Sequence, residues 1–206
     1  MERHEELFRF DEQYLQGRRV ALAGVDEVGR GPLAGPVVAA AVILKKNASL
    51  ARLNDSKKLS PQARETLFTQ ILAQGFAGIG CVSEAIIDKI NILQATRLAM
   101  RQAVLALPRT PDLLFIDGDI KLDVPLPQKS FVRGDARSAA IAAASIVAKV
   151  YRDTLMEKFD ELYPDYGFGV HKGYPTPGHL EALSQKGVTP IHRKTFAPVA
   201  GILRQE

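Results

Sequence analysis

The stretch that decides the fold reads Arg18-Arg19-Val20-Ala21-Leu22-Ala23-Gly24-Val25-Asp26-Glu27-Val28-Gly29-Arg30-Gly31-Pro32-Leu33-Ala34-Gly35-Pro36, and runs straight into Val37-Val38-Ala39-Ala40-Ala41-Val42-Ile43-Leu44. Two short apolar runs of strand composition flank a connection rich in glycine. That connection is shorter than the dozen or more residues a parallel crossover needs, so the spacing predicts an antiparallel pair over 18–25 and 37–44. The first run stops at two adjacent acids, Asp26 and Glu27, at a position where a bland soluble domain has little use for them.

Working outward, 76–82 reads as a third strand. A short helix over 83–90 follows. A second, with Asn91 as its cap, carries apolar residues at Leu93, Leu98, Ala99, Val104 and Leu105 and stops before Pro108. The run Asp112-Leu113-Leu114-Phe115-Ile116-Asp117 predicts another buried strand ending in an acid, and 129–133 one more. Asp135 is expected to open a long helix reaching about residue 163, and its turns over 139–146 are almost all small residues, which lets the helix axis lie close to whatever it covers. Thr176, Pro177 and Gly187 punctuate a last helix as N-cap, first turn and C′. Strands first, then strands alternating with helices, give an α/β class with a mixed sheet.

Composition bounds the function. The 206 residues, 46% hydrophobic and 24% charged, describe a globular chain, without repeats or low-complexity tracts, that fits one domain. The longest apolar run, 36–44, is too short to cross a bilayer, and Glu2, Glu5 and Glu6 stand where a secretory signal would be basic and then apolar. The single cysteine, Cys81, excludes an internal disulfide framework and a zinc site built on several thiolates. The expectation is a soluble, cytoplasmic protein with no membrane partner, and nothing in the pattern calls for an obligate interface, so a monomer. A net charge of +4 permits a polyanionic partner without demanding one.

In open α/β sheets, sites form beyond the carboxyl ends of the strands. If the strands ending in Asp26 and Asp117 lie parallel and adjacent, those acids meet at one sheet edge, and Asp135 at the mouth of the small-residue helix is a natural third arrival. Carboxylates converging without paired cations repel one another, and a divalent cation relieves the repulsion. Oxygen ligands without Cys or His point to Mg²⁺ or Mn²⁺. Taken singly, each acid has an ordinary role as a turn residue or helix cap. Neighbours such as Asp26 and Glu27 also point to opposite faces of a regular strand, so both enter one site only if pairing ends or bulges there.

Three loops could meet a ligand. Gly29-Arg30-Gly31 exposes backbone N–H groups to close approach, or simply connects a hairpin. Lys57 and Lys58 could contact phosphate, or sit in a solvated turn. Tyr174, in His171-Lys172-Gly173-Tyr174-Pro175-Thr176, could stack on a sugar or base beside Lys172, or pack against the following helix. His179 and His192-Arg193-Lys194 read as surface residues of a basic rim.

At this point the residues resemble a known family. Ala23-Gly24-Val25-Asp26-Glu27-Val28-Gly29-Arg30-Gly31-Pro32-Leu33 is similar to the opening of bacterial ribonuclease HII, the type 2 ribonucleases H. The resemblance continues through Leu53-Asn54-Asp55-Ser56-Lys57-Lys58-Leu59-Ser60, Phe115-Ile116-Asp117-Gly118, Gly134-Asp135, 141–153, 171–176 with His179, and 192–196, in the expected order. It implies a ribonuclease H-like fold: a central mixed five-stranded sheet flanked by helices, with a helical C-terminal region, about 164–206, that contributes substrate contacts within a single catalytic domain, 1–206. It implies cleavage of RNA in RNA/DNA hybrids and incision 5′ to single ribonucleotides in duplex DNA, leaving 3′-hydroxyl and 5′-phosphate ends by two-metal-ion hydrolysis. The implied metal-binding catalytic residues are Asp26, Glu27, Asp117 and Asp135. Gly29, Arg30, Gly31 and Tyr174 would read the ribose 2′-hydroxyl, and Lys57, Lys58 and Lys172 would contact phosphates. Two departures stand out: Arg133 occupies a position where Lys is common, and Asp119 adds a carboxylate without an assigned role.

Two rivals remain open from the residues. Leu113-Leu114-Phe115-Ile116-Asp117-Gly118-Asp119 resembles the nucleophile motif of haloacid-dehalogenase-like phosphatases, which would make Asp117 a nucleophile but leave Asp26 and Glu27 unemployed. A non-catalytic nucleic-acid-binding module would use the basic loops and leave the acids as caps.

Overall fold

The computed structural model describes residues 3–54 and 56–204; the side chains of Arg3 and Lys57 lie outside the described set, as does Asp55. Five strands, β1 (Leu22–Val28), β2 (Val37–Leu44), β3 (Gly75–Val82), β4 (Leu113–Asp117) and β5 (Gln128–Phe131), form one sheet in the order β3-β2-β1-β4-β5. The β1–β2 and β2–β3 pairs are antiparallel, and β1–β4 and β4–β5 are parallel. This is the expected mixed sheet.

Among the described residues seven helices accompany it: α1 (Arg3–Leu15), α2 (Pro61–Gln74), α3 (Glu84–Leu105), α4 (Ala139–Leu162), α5 (Phe168–His171), α6 (Pro177–Lys186) and α7 (Ala197–Leu203). The strand alternation sorts two cores. Ala23, Val25, Val37, Ala39 and Ala41 face α3 through Ala95, Ala99, Met100 and Ala103. On the other face Val38, Ala40 and Val42 pack with Ala139, Ala142, Ala143 and Ile146 of α4. The small residues of α4 have the expected consequence: Gly24 of β1 lies so close beneath Ala140 and Ile141 that a Cβ there would run into helix backbone.

Several boundaries differ from the sequence expectations. β1 starts at Leu22, not at Arg18, and runs through both acids to Val28, because Asp26 and Glu27 pair with Ala40 and Ala39 of β2. α4 begins at Ala139, with the Ser138 side chain accepting the Ile141 N–H; Asp135 sits before it in a short 3₁₀ turn, Gly134–Ala136. β5 ends at Phe131, short of Arg133, which takes a left-handed φ of 56°. The two expected helices after β3 do form, end to end within the span of α3: Asn91, at φ 65° and ψ 165°, breaks the helix between them, and its Oδ1 caps the second by accepting the N–H groups of Leu93 and Gln94. α6 has the expected bounds, with Thr176 accepting the His179 N–H.

The C-terminal region closes over the glycine connection between β1 and β2. Leu33 donates to the Gly173 carbonyl, Gly35 to that of Ile191, and Arg193 to that of Leu33, while Ala34 and His192 form an isolated bridge.

Candidate active site

The parallel ladder between β1 and β4 ends at Val25 and Ile116, although β1 continues its antiparallel pairing with β2 to Val28. Beyond Val25 the β4 side of β1 is therefore open, which resolves the problem posed by adjacent acids in a regular strand. Asp26, Glu27 and Asp117 each bring a carboxylate oxygen within 4.8 Å of the others. A pocket of about 130 Å³ there is lined by these three, Asp135, Val28, Ser56, Ser145, Lys149 and Tyr174.

Each acid is held by its surroundings. Asp26 is buried, takes the Glu27 N–H on Oδ1 at 2.7 Å, and receives a hydrogen bond from Ser145 of α4. Asp117 Oδ1 accepts the Gly134 N–H at 2.6 Å, which ties β4 to the turn carrying the buried Asp135. Glu27 Oε1 meets Arg30 Nη1 at 3.4 Å, while its Oε2 is buried without a hydrogen-bond partner. Desolvation pushes the Asp26 carboxyl well above the usual range, and the charges of Glu27, Asp117 and Asp135 add to it despite the Ser145 hydrogen bond. Burial raises Glu27 as well, and the Asp117 charge adds to that, against the lowering influence of Arg30.

Such a cluster fits a divalent cation on its own chemistry: converging hard oxygen donors, one buried carboxylate oxygen left unsatisfied, and charge repulsion for a cation to relieve. The arrangement can hold a cation against a phosphodiester; it offers no thiolate or imidazole ligand.

The loop residues divide. Gly29, with φ of 92°, lies against Arg152, so a side chain there would be both strained and obstructed. The Tyr174 ring, 39% exposed, stands 3.6 Å from where a Cβ on Gly31 would be, at the mouth of the carboxylate pocket. Arg30 is exposed beside Glu27. Lys58 is exposed in a 3₁₀ turn, Ser56–Lys58. The Lys57 side chain is outside the described residues. Lys172 directs its ammonium to Glu157 at 2.6 Å.

The expectation that His179, His192 and Arg193 form a surface rim is wrong: they are 0%, 1% and 0% exposed, and only Lys194 of that group faces solvent. Sequence reasoning also missed Arg152, fully buried within α4. Its guanidinium donates to the carbonyls of Pro36, Lys172 and Ala34. Arg193 donates to those of Gly35, Arg30 and Gly29. The two arginines lash the glycine loop to the C-terminal region. Arg152 interrupts an otherwise apolar and small-residue helix face, and that was the available signal. Ser56 and Ser145, hydrogen-bonded to each other at 2.9 Å behind the acids, left no comparable mark.

Comparison with known proteins decides what this site belongs to. Residues 23–199 match the model of the family described as ribonuclease HII. The chain belongs to the ribonuclease HII family. The Enterococcus faecalis ribonuclease HII is 58% identical over 200 residues, covering 96% of this chain and 78% of that one. The Geobacillus kaustophilus ribonuclease HII is 55% identical over 205 residues, 98% and 78% of the two chains. Among solved structures, ribonuclease H2 from Pyrococcus horikoshii superposes with a TM-score of 0.74 at 29% identity, covering 89% of this chain and 97% of that one. The fold is therefore ribonuclease H-like and the chain is a metal-dependent ribonuclease H of type 2, an activity directed at RNA paired with DNA. The phosphatase and non-catalytic readings lapse with that membership. Among the described residues no helix is long and apolar enough to cross a membrane.

Proposed function

We propose that this member of the ribonuclease HII family hydrolyses the RNA strand of hybrids and also incises 5′ to single ribonucleotides embedded in duplex DNA, leaving 3′-hydroxyl and 5′-phosphate ends. The observation that carries the chemistry is the convergence of Asp26, Glu27 and Asp117 within 4.8 Å where the parallel strand pair opens, with Glu27 Oε2 buried and unpaired. In this reading Asp26, Glu27, Asp117 and Asp135 hold two divalent ions, Mg²⁺ or Mn²⁺. Bound there, the ions supply a water of lowered pKa and neutralise charge developing on the departing 3′-oxygen.

The rest falls to the chain's own groups. The Gly134 N–H and Ser145 fix the Asp117 and Asp26 carboxylates in place, so their free lone pairs stay aimed into the pocket. The backbone of Gly29, Arg30 and Gly31, stiffened by Arg193 and Arg152, offers N–H groups to the ribose 2′-hydroxyl, the one group that marks RNA within DNA. Tyr174, brought over Gly31 by the C-terminal region, packs on the neighbouring sugar. Lys57, Lys58 and Lys172 contact phosphates and make binding salt-sensitive, with Lys172 leaving Glu157 to do so.

The test is nicking of a DNA duplex carrying one ribonucleotide. Cutting on the 5′ side of the ribonucleotide is expected with Mg²⁺ or Mn²⁺, none with chelator, and none on the all-DNA duplex. Cleavage of long hybrids without incision at the single ribonucleotide would remove the junction-reading part of the proposal.

A further inference from the structure

The buried histidines behind Tyr174 are joined by hydrogen bonds whose directions follow from the backbone groups at the two ends of the chain. The Thr189 N–H lies 3.0 Å from His192 Nδ1, and the Thr189 hydroxyl, which can donate or accept, lies 2.8 Å from the same nitrogen. A backbone amide only donates, so Nδ1 is the acceptor and the neutral ring carries its proton on Nε2. At the other end His179 Nδ1 lies 2.9 Å from the Tyr174 carbonyl oxygen, which only accepts, so the proton of His179 is on Nδ1 and its Nε2 is bare. The two Nε2 atoms stand 3.1 Å apart, one protonated and one not, leaving a single consistent assignment: Thr189 to His192 to His179 to Tyr174.

His171 completes the frame. It accepts the Gly173 N–H on Nδ1 and donates from Nε2 to the Tyr166 carbonyl, and its ring stacks on His179 with centroids 4.3 Å apart. Its own carbonyl accepts the Tyr174 N–H at 2.9 Å. Tyr174 is thus gripped at its N–H by His171 and at its carbonyl by His179, while its ring reaches over Gly31 to the carboxylate pocket. Burial lowers the basicity of His179, and burial beside His179 takes His192 down to about 4, so the rings stay neutral as the assignment requires.

We propose that His179, held in its Nδ1–H tautomer by His192, is a positioning residue for Tyr174, and that it sets how well the enzyme distinguishes a single embedded ribonucleotide from continuous hybrid. The inference rests on the reading of Tyr174 as a junction contact. Sequence position alone put these histidines on the surface; their geometry makes them a relay from the C-terminal segment to the site.

Two measurements test it. Histidine ¹⁵N chemical shifts of the metal-free protein are expected to show His179 as the Nδ1–H tautomer and His192 as the Nε2–H tautomer; the reverse pattern overturns the relay. The second is the ratio of kcat/KM for single-ribonucleotide incision to that for long-hybrid cleavage, in Tyr174→Ala, His179→Phe and His179→Asn. His179→Phe keeps the ring and removes the donor, and is expected to lower the ratio about five- to tenfold, the span of one lost buried hydrogen bond. His179→Asn restores an N–H donor near the Nδ1 position and is expected to recover most of the ratio. If Tyr174→Ala lowers the ratio and His179→Phe does not, the inference fails while Tyr174 keeps its role. If Tyr174→Ala leaves the ratio unchanged, the junction reading of Tyr174 fails first. Equal loss on both substrates in His179→Phe, or its failure to fold, with no recovery in His179→Asn, assigns His179 to scaffolding alone and overturns the proposal.

Discussion

Two polar clusters face each other across the glycine loop, and they are built on opposite terms. At the sheet edge, Asp26, Glu27 and Asp117 crowd like charges together, desolvation raises Asp26 and Glu27, and one buried oxygen has no partner. Under the loop, Arg152, Arg193, His179 and His192 are more deeply buried, yet their donors meet carbonyls or one another. Burial of polar groups is costly only where their hydrogen bonds are left unmade. The first cluster is incomplete without a cation; the second completes itself and holds the glycine loop beside the first in shape.

The sharpest way to break that contrast is to remove charge from each side in turn. Asp117→Asn keeps an oxygen to accept the Gly134 N–H but takes one anion from the proposed ligand set. Metal ions contribute several kcal/mol of transition-state stabilisation, so nicking should fall about 10³-fold or more. Metal-free stability should hold or rise, since a repulsive charge has gone. A variant that cuts within tenfold of wild type, or a clearly destabilised one in chelator, would show that the acids are structural.

On the other side the sign reverses. Arg193→Met fills similar space but leaves the buried carbonyls of Gly29 and Gly35, and the partly buried one of Arg30, without their donor. Each unsatisfied buried acceptor costs about 1–3 kcal/mol, so a loss of at least ~2 kcal/mol in urea unfolding is expected. A loss under ~1 kcal/mol would mean that water replaces the guanidinium and the cluster is not self-contained.

The same contrast explains what could be read without coordinates. The acids were legible because a strand that is buried and apolar announces the point where it meets a carboxylate: Val25 before Asp26, Ile116 before Asp117. The β1–β2 hairpin followed from the length of its connection, and α6 from Thr176, Pro177 and Gly187, all local signals. The buried basic cluster was illegible because residue type speaks for the surface: His192-Arg193-Lys194 reads as a solvated run, yet Arg193 is buried against carbonyls some 160 residues away in sequence and His192 against Thr189 and His179. The extent of β1 was misjudged for a related reason, since its end depends on β2 and not on its own composition. Asp135 lines the carboxylate pocket, but its setting in a 3₁₀ turn was hidden in the sequence, because Ser138 was the better cap and took the helix start.

The smallest expected effect separates the clusters by pH. The folded protein holds His192 near a pKa of about 4, against an ordinary value of 6.5, so it refuses a proton that the unfolded chain accepts. Its contribution is complete above about pH 6.5 and is lost as pH falls toward 4, at about 1.4 kcal/mol per pH unit. Asp11, buried where α1 meets the start of α4 and accepting the Ala140 N–H, runs the other way: desolvation lifts its carboxyl to about 7 from 3.8, so the cost of its charge is relieved as pH falls through 7. The wild type therefore loses one term while regaining another, and its own pH profile hides both. Difference profiles expose them. The stability cost of His192→Gln relative to wild type should shrink by about 1 kcal/mol between pH 6.5 and 5.5, and the advantage of Asp11→Asn, greatest near pH 8, should shrink over the interval from 7 to 4. Urea unfolding in chelator measures both, and a cost of His192→Gln that stays constant from pH 7 to 5 would mean that the buried ring accepts protons as freely as an exposed one, so that the cluster beneath the loop is not sealed from water.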